Sequence, residues 1–121
     1  MKKILVIDDT RQTADALVNI LKVLGFDARA AYGASAGMAI LNANVPDAIF
    51  VDINMPGVTG FDILMYISRD PRLENVPVIV ITSDDQPETR TRALSLGAKD
   101  VIIKPVAVER IEPLLWQLRL L

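Results

Sequence analysis

Four short runs of apolar, largely β-branched residues constrain this chain more than any other feature: residues 4–7, 48–51, 78–81 and 101–103. Each run is continuous rather than alternating, and each is followed at once by a polar residue. A strand with one wet face alternates apolar and polar side chains. A continuous run fits a strand covered on both faces, as in a parallel sheet. Asp27–Ala31 is a fifth and weaker strand candidate, because alanine is a poor strand former.

Helical periodicity fills the gaps between the runs. Residues 13–24 place Ala14, Leu17, Val18, Leu21 and Leu24 on one face, and Gly25 supplies a stop. Residues 34–41 form a shorter helix with Ala36, Ala39 and Ile40 apolar, and residues 61–68 a third with Phe61, Leu64, Met65 and Ile67. Residues 87–96 open on a proline suited to a first turn and end at Gly97. The last helix carries Val108, Ile111, Leu114, Leu115 and Leu118. Strands alternating with helices predict an α/β domain with right-handed crossovers and helices on both faces of the sheet.

Composition narrows the chemistry. With no Cys and no His, disulfides, thiolate nucleophiles, thiolate zinc sites and Ser-His or Cys-His machinery are excluded. Any metal must be held by oxygen, which points to a hard cation. A net charge of −2 and the lack of a basic stripe argue against nucleic acid as a partner. Half the residues are apolar (51%), yet no run approaches the roughly 18 residues of a membrane span, so no membrane association is expected. The basic opening Met1-Lys2-Lys3 leads into about four apolar residues, too few for a secretion signal, and the cytoplasm is the expected compartment.

In a doubly wound sheet, ligands bind outside the carboxyl ends of the strands. There the first strand ends in Asp8-Asp9, the third in Asp52, the fourth in Thr82-Ser83 and the fifth in Lys104-Pro105. Any one of these alone reads as a helix cap or turn former. Together they gather three carboxylates, a hydroxyl and a single ammonium on one edge. Lysine offsets only one of the three charges, so the set expects a divalent, oxygen-liganded cation such as magnesium and a phosphate to go with it.

The pieces Ile7-Asp8-Asp9, Val51-Asp52-Ile53-Asn54-Met55-Pro56-Gly57-Val58-Thr59-Gly60, Ile81-Thr82-Ser83 and Lys104-Pro105 occur in the order found in receiver domains of two-component response regulators. The sequence resembles that family over essentially its whole length. The resemblance implies a flavodoxin-like, doubly wound α/β fold with five helices and a five-stranded parallel sheet in order 2-1-3-4-5. It implies that Asp52 accepts a phosphoryl group from a phosphohistidine of a sensor histidine kinase or histidine phosphotransfer protein, or from a small donor such as acetyl phosphate. Asp9, Asp52 and the backbone carbonyl of Asn54 would ligate Mg2+, with Mn2+ a possible substitute, and Asp8 would act mainly through bound water. Lys104 would bind a phosphoryl oxygen, helped inward by a cis Lys104-Pro105 bond, and Thr82 would hydrogen-bond the phosphorylated aspartate. Such a domain is a switch rather than an enzyme. Asn54 and Asp84, two residues past Asp52 and Thr82, occupy positions that tune how water reaches the acyl phosphate.

Two departures stand out. Many receivers carry an aromatic residue three before the lysine, whose rotamer follows the state of the Thr82 hydroxyl; this chain has Val101 there, and a valine cannot make the same inward–outward swing. In the last helix, Pro113 is expected to kink the helix or delay its regular part to about Glu112. Pro113, Trp116 and Leu120 form a second apolar line, read either as a tryptophan buried in a wider core or as an interface for an output partner or a second copy. Residues 1–121 read as a single receiver domain with no output domain, either free-standing or cut from a larger regulator or hybrid kinase. Three other readings compete. One is a pseudo-receiver that no longer takes phosphate, the second a haloacid dehalogenase-type phosphatase with Asp8 as nucleophile, and the third a flavin binder of the same fold.

Overall fold

In the computed structural model, which describes Met1–Leu121, the apolar runs form strands β1 (Lys3–Ile7), β3 (Ala48–Asp52), β4 (Val78–Thr82) and β5 (Asp100–Ile103), with β2 at Asp27–Ala31. They pair in parallel in the order β2-β1-β3-β4-β5, as expected for a doubly wound sheet. Helices α1 (Arg11–Val23), α2 (Ala34–Ala43), α3 (Gly60–Arg69), α4 (Pro87–Ser95) and α5 (Val108–Gln117) make the connections, with a 3-10 turn at Pro71–Leu73 after α3.

The continuous runs are apolar because successive side chains enter different cores. Leu5, Ile7, Ile49, Val51, Val78, Val80 and Val101 pack with Leu41, Ile63, Leu64, Ile67 and Ala93, on the side of α2, α3 and α4. Ile4, Val6, Ala48, Phe50, Ile79, Ile81 and Ile102 pack with Ala14, Leu17, Leu21, Ile111, Leu114 and Leu115, on the side of α1 and α5. Every residue of β3 and β4 is buried. The weak strand β2 lies at the sheet edge, exposing Asp27 and Arg29 and covering Ala28 and Ala31, its register fixed by β1 through pairs such as Lys3↔Asp27 and Ile7↔Ala31. No helix is long and apolar enough to cross a membrane.

Several helix faces differ from the expected ones. The inner face of α2 is Gly37 and Leu41, while Ala36 and Ala39 point outward. Gly37 is there because a Cβ would come within 2.7 Å of the Ile7 side chain. α1 begins at Arg11, two residues early, and Leu24 closes it as a partly buried cap. In α3 the buried set includes Ile63, while Phe61 and Met65 are only partly covered. A capping box starts this helix, with Thr59 Oγ1 accepting from the Asp62 amide and Asp62 Oδ2 accepting from the Thr59 amide.

The C-terminal helix decides some of the open expectations and corrects others. It is regular from Val108, so Pro113 does not delay it; the proline lies on the outer face, where the amide it lacks leaves one carbonyl to solvent. Trp116 is not buried: it is 61% exposed. Leu120 does not continue the outer line. Arg119 takes a left-handed conformation (φ 61°), the amide of Leu120 bonds the Leu115 carbonyl and that of Arg119 bonds the Trp116 carbonyl. This is a Schellman ending, which turns Leu120 back against the core beside α1 and α5. Val108, assigned to the inner stripe, is exposed, and Leu118 is partly covered.

Gly60 docks the start of α3 onto the end of β3. A Cβ there would strike the Asp52 carbonyl oxygen and lie 2.7 Å from Ile53 Cα, both backbone atoms that cannot rotate away. Gly→Ala in an exposed helix is normally stabilising; here overpacking reverses the sign. Gly60→Ala is expected to lower stability by about 2 kcal/mol in urea denaturation, and an unchanged or higher midpoint would contradict this packing.

Candidate functional site

The register of the sheet determines which strand ends meet. Ile7 pairs with Val51, so Asp8, one residue further, stands level with Asp52. Asp52 pairs with Ile81 and Thr82 with Ile103, which brings the hydroxyl and then Lys104 to the same edge. Carboxylate oxygens of Asp8, Asp9 and Asp52 lie within 4.8 Å of one another. Asp8 and Asp52 are buried, whereas Asp9 is exposed.

Lys104 lies between the two buried acids, its Nζ 3.0 Å from Asp8 Oδ2 and 3.4 Å from Asp52 Oδ2. The Lys104–Pro105 peptide is cis, and the Lys104 amide donates to the Thr82 carbonyl at 2.8 Å. Asp8 Oδ1 accepts from the Thr10 amide at 2.9 Å, and Asp52 Oδ1 from the Asn54 amide at 3.1 Å. Asp8 Oδ2 is fully buried and has no hydrogen bond. The lysine is near enough to attract it electrostatically but is not aligned as a donor.

One ammonium therefore faces three carboxylates. Burial, and then the neighbouring charge of Asp8, push the Asp52 carboxyl up to about 6 against an ordinary 3.8. The Asn54 amide and Lys104 oppose that rise without cancelling it. The surplus negative charge, the hard oxygen donors and the orphaned Asp8 oxygen together fit a divalent cation. They are the features that a Mg2+ ion would satisfy.

Thr82 is buried and caps no helix, since α4 begins only at Pro87. Its Oγ1 accepts from Asn54 Nδ2 at 3.2 Å and from the Asp84 amide at 3.0 Å. Sequence reasoning placed Asn54 by its backbone carbonyl and missed that its side chain is tied to Thr82. It also missed Thr89, whose hydroxyl donates to Asp84 Oδ2 at 2.6 Å. A spacing of five residues between a loop acid and a helical hydroxyl has no sequence signature. Val101 is buried in the core beneath α3 and α4.

Comparison with known proteins agrees with this arrangement. Among curated proteins, PilH of Pseudomonas aeruginosa is 31% identical over 109 residues, which is 90% of this chain and 90% of PilH. Protein RcaC of Microchaete diplosiphon is 30% identical over 104 residues; the match takes in 86% of this chain but spans only 16% of RcaC. The crystal structure of the chemotaxis protein CheY4 of Vibrio cholerae superimposes with a TM-score of 0.90, covering 98% of each chain at 24% identity, a likeness of fold. The family model for the response regulator receiver domain matches residues 4–115, a span that takes in the five strands except Lys3, every acid of the cluster, Thr82 and Lys104. The order of the strands and the order of the motifs lead to the same place: this chain belongs to the receiver domains of two-component response regulators.

Proposed function

We propose that the domain accepts a phosphoryl group on Asp52 and that the reaction depends on Mg2+. The observation that supports this reading best is Lys104 Nζ held 3.4 Å from Asp52 Oδ2 within a cluster that carries more negative charge than one lysine can balance. An Asp52 oxygen attacks the phosphorus of a phosphohistidine on a sensor kinase or phosphotransfer protein. A P–O bond forms as the P–N bond breaks, and the bonding pair leaves with the imidazole. The product is an acyl phosphate.

Asp9, Asp52 and the Asn54 backbone carbonyl are the groups that would hold the ion, with Asp8 acting through water. Bound there, Mg2+ or its substitute Mn2+ would supply charge neutralisation for the phosphoryl oxygens. The chain's own residues do the remainder. The Asn54 amide orients the Asp52 carboxylate from one oxygen while Lys104 approaches the other. Lys104 exchanges its tie to Asp8 for a phosphoryl oxygen, so the ammonium is already positioned where negative charge arrives. Thr82 supplies a hydroxyl at the same edge. Phosphoryl transfer needs mainly such positioning and neutralisation. The domain acts as a signalling switch, and its phosphorylated surface selects an output partner or a second copy of the chain.

Incubation with acetyl phosphate and Mg2+ is expected to add about 80 daltons to the wild-type mass and nothing to Asp52→Asn. Absence of the gain in wild type with both acetyl phosphate and a phosphorylated histidine donor would favour a receiver retained only for binding.

Without divalent cation, Asp52 lowers stability at neutral pH. Its folded-state value of about 6 exceeds the unfolded 3.8, so the folded chain keeps a proton that the unfolded chain has lost. The penalty is absent below about pH 4, where both states hold the proton, grows as pH rises, and is complete once pH has passed 6. In EDTA, Asp52→Asn is therefore expected to be more stable than wild type at pH 7 by on the order of 2 kcal/mol, with the gap closing toward pH 4. Mg2+ is expected to raise the wild-type urea midpoint more than the variant's. Wild type as stable as the variant in EDTA at pH 7 would contradict the account.

A further inference from the structure

We propose that Thr89 of α4 is a positioning residue for the phosphoryl-accepting site, acting through Asp84 and Thr82 on the side chain of Asn54; the proposal rests on the phospho-acceptance reading above. The connection is a continuous chain of hydrogen bonds. Thr89 Oγ1 donates to Asp84 Oδ2 at 2.6 Å, and Asp84 Oδ1 accepts from the Gln86 amide at 2.9 Å. The Asp84 amide donates to Thr82 Oγ1 at 3.0 Å, where Asn54 Nδ2 also donates at 3.2 Å. The Asn54 amide in turn donates to Asp52 Oδ1 at 3.1 Å. A residue on a surface helix is thereby linked to the acceptor carboxylate.

Four further observations give the chain its importance. A threonine oxygen has two lone pairs, and both of Thr82's are taken, so its hydroxyl is oriented by Asn54 on one side and Asp84 on the other. The Asp84 carboxyl is held below the ordinary carboxylate range by Thr89 and the Gln86 amide, which keeps it an acceptor. Val101, two residues before the Ile103 that pairs with Thr82, is apolar and buried, so its side chain has no polar group to offer Thr82. In addition, α4 is weakly anchored by packing, since Ala93 is its one buried residue. Polar ties hold it instead: Thr89 to Asp84, Arg90 to Asp100 at 3.1 Å and to the Val101 carbonyl at 3.3 Å, and Arg92 over the Phe61 ring at 4.0 Å. Of these, only the Thr89 tie leads to the acceptor loop. A change at Asp52 that redirects Thr82 or Asn54 therefore moves Asp84 and the start of α4, and a loosened α4 unfixes Thr82.

The test compares wild type with Thr89→Val, which keeps the shape but lacks the hydroxyl, and Thr89→Ser, which restores it. Thr89 is only partly buried, so both variants are expected to fold. In NMR spectra, Thr89→Val is expected to displace the Asn54 side-chain amide and the Asp84 backbone amide, while Thr89→Ser leaves both near their wild-type positions. Phosphorylation by acetyl phosphate is expected to slow about fivefold in Thr89→Val, the worth of one net hydrogen bond, and to recover in Thr89→Ser. Unmoved Asn54 and Asp84 resonances in Thr89→Val, or a serine variant that behaves like valine, would overturn the proposal. A wild-type protein that takes no phosphoryl group would instead overturn the phospho-acceptance reading, and the resonances would still decide whether Thr89 positions Asn54.

Discussion

The contact on which the rest of the molecule depends is the Lys104 ammonium lying between the buried carboxylates of Asp8 and Asp52, 3.0 and 3.4 Å away. Burying two acids is costly, and a single lysine offsets that cost only in part. The edge is left with surplus negative charge, an orphaned Asp8 oxygen and an Asp52 that holds its proton too tightly. Such a site is unsatisfied by its own chain. On the function proposed above, it gains stability from a cation and then accepts a phosphoryl group among the charges already in place.

The fold serves that contact by register. Parallel pairing of β1, β3, β4 and β5 delivers four chain segments to one edge, and the alternating burial of each strand in two cores prevents slippage. Gly60 lets α3 press against the Asp52 backbone, and the turn after β1 is tied by Asp8 itself. Away from this edge the helices are packed unequally. α4 buries one alanine and relies on polar ties, whereas α5 is anchored by Ile111, Leu114 and Leu115 and closed by Leu120 folding back. The most thinly packed helix is thus the one linked by hydrogen bonds to Thr82.

Much of this was legible in the residues. Continuous apolar runs announce strands buried on both faces, and a polar residue at the end of each announces the edge where chemistry collects. The resemblance to receiver domains placed Asp8, Asp9, Asp52, Thr82 and Lys104 together, and the structure gathers them. Legibility failed where tertiary geometry, rather than periodicity, decides. Gly37 contributes to a helix face by having no side chain, which no apolar pattern records. Trp116 and Leu120 share a helical spacing, but the left-handed Arg119 ends the helix between them and sends them to opposite environments. The Asn54–Thr82–Asp84–Thr89 chain joins two loops and a helix whose meeting is set only by the finished sheet.

The unbalanced charge at the strand ends can be measured directly by following the Asp52 carboxyl carbon through a pH titration by NMR, first in EDTA and then in saturating Mg2+. The account predicts a midpoint near 6 without the ion and a clear fall when the ion is added. An Asp52 that titrates near 3.8 in EDTA and does not respond to Mg2+ would show that the lysine alone balances the cluster, and would remove the basis for reading this edge as a metal-dependent phosphoryl acceptor.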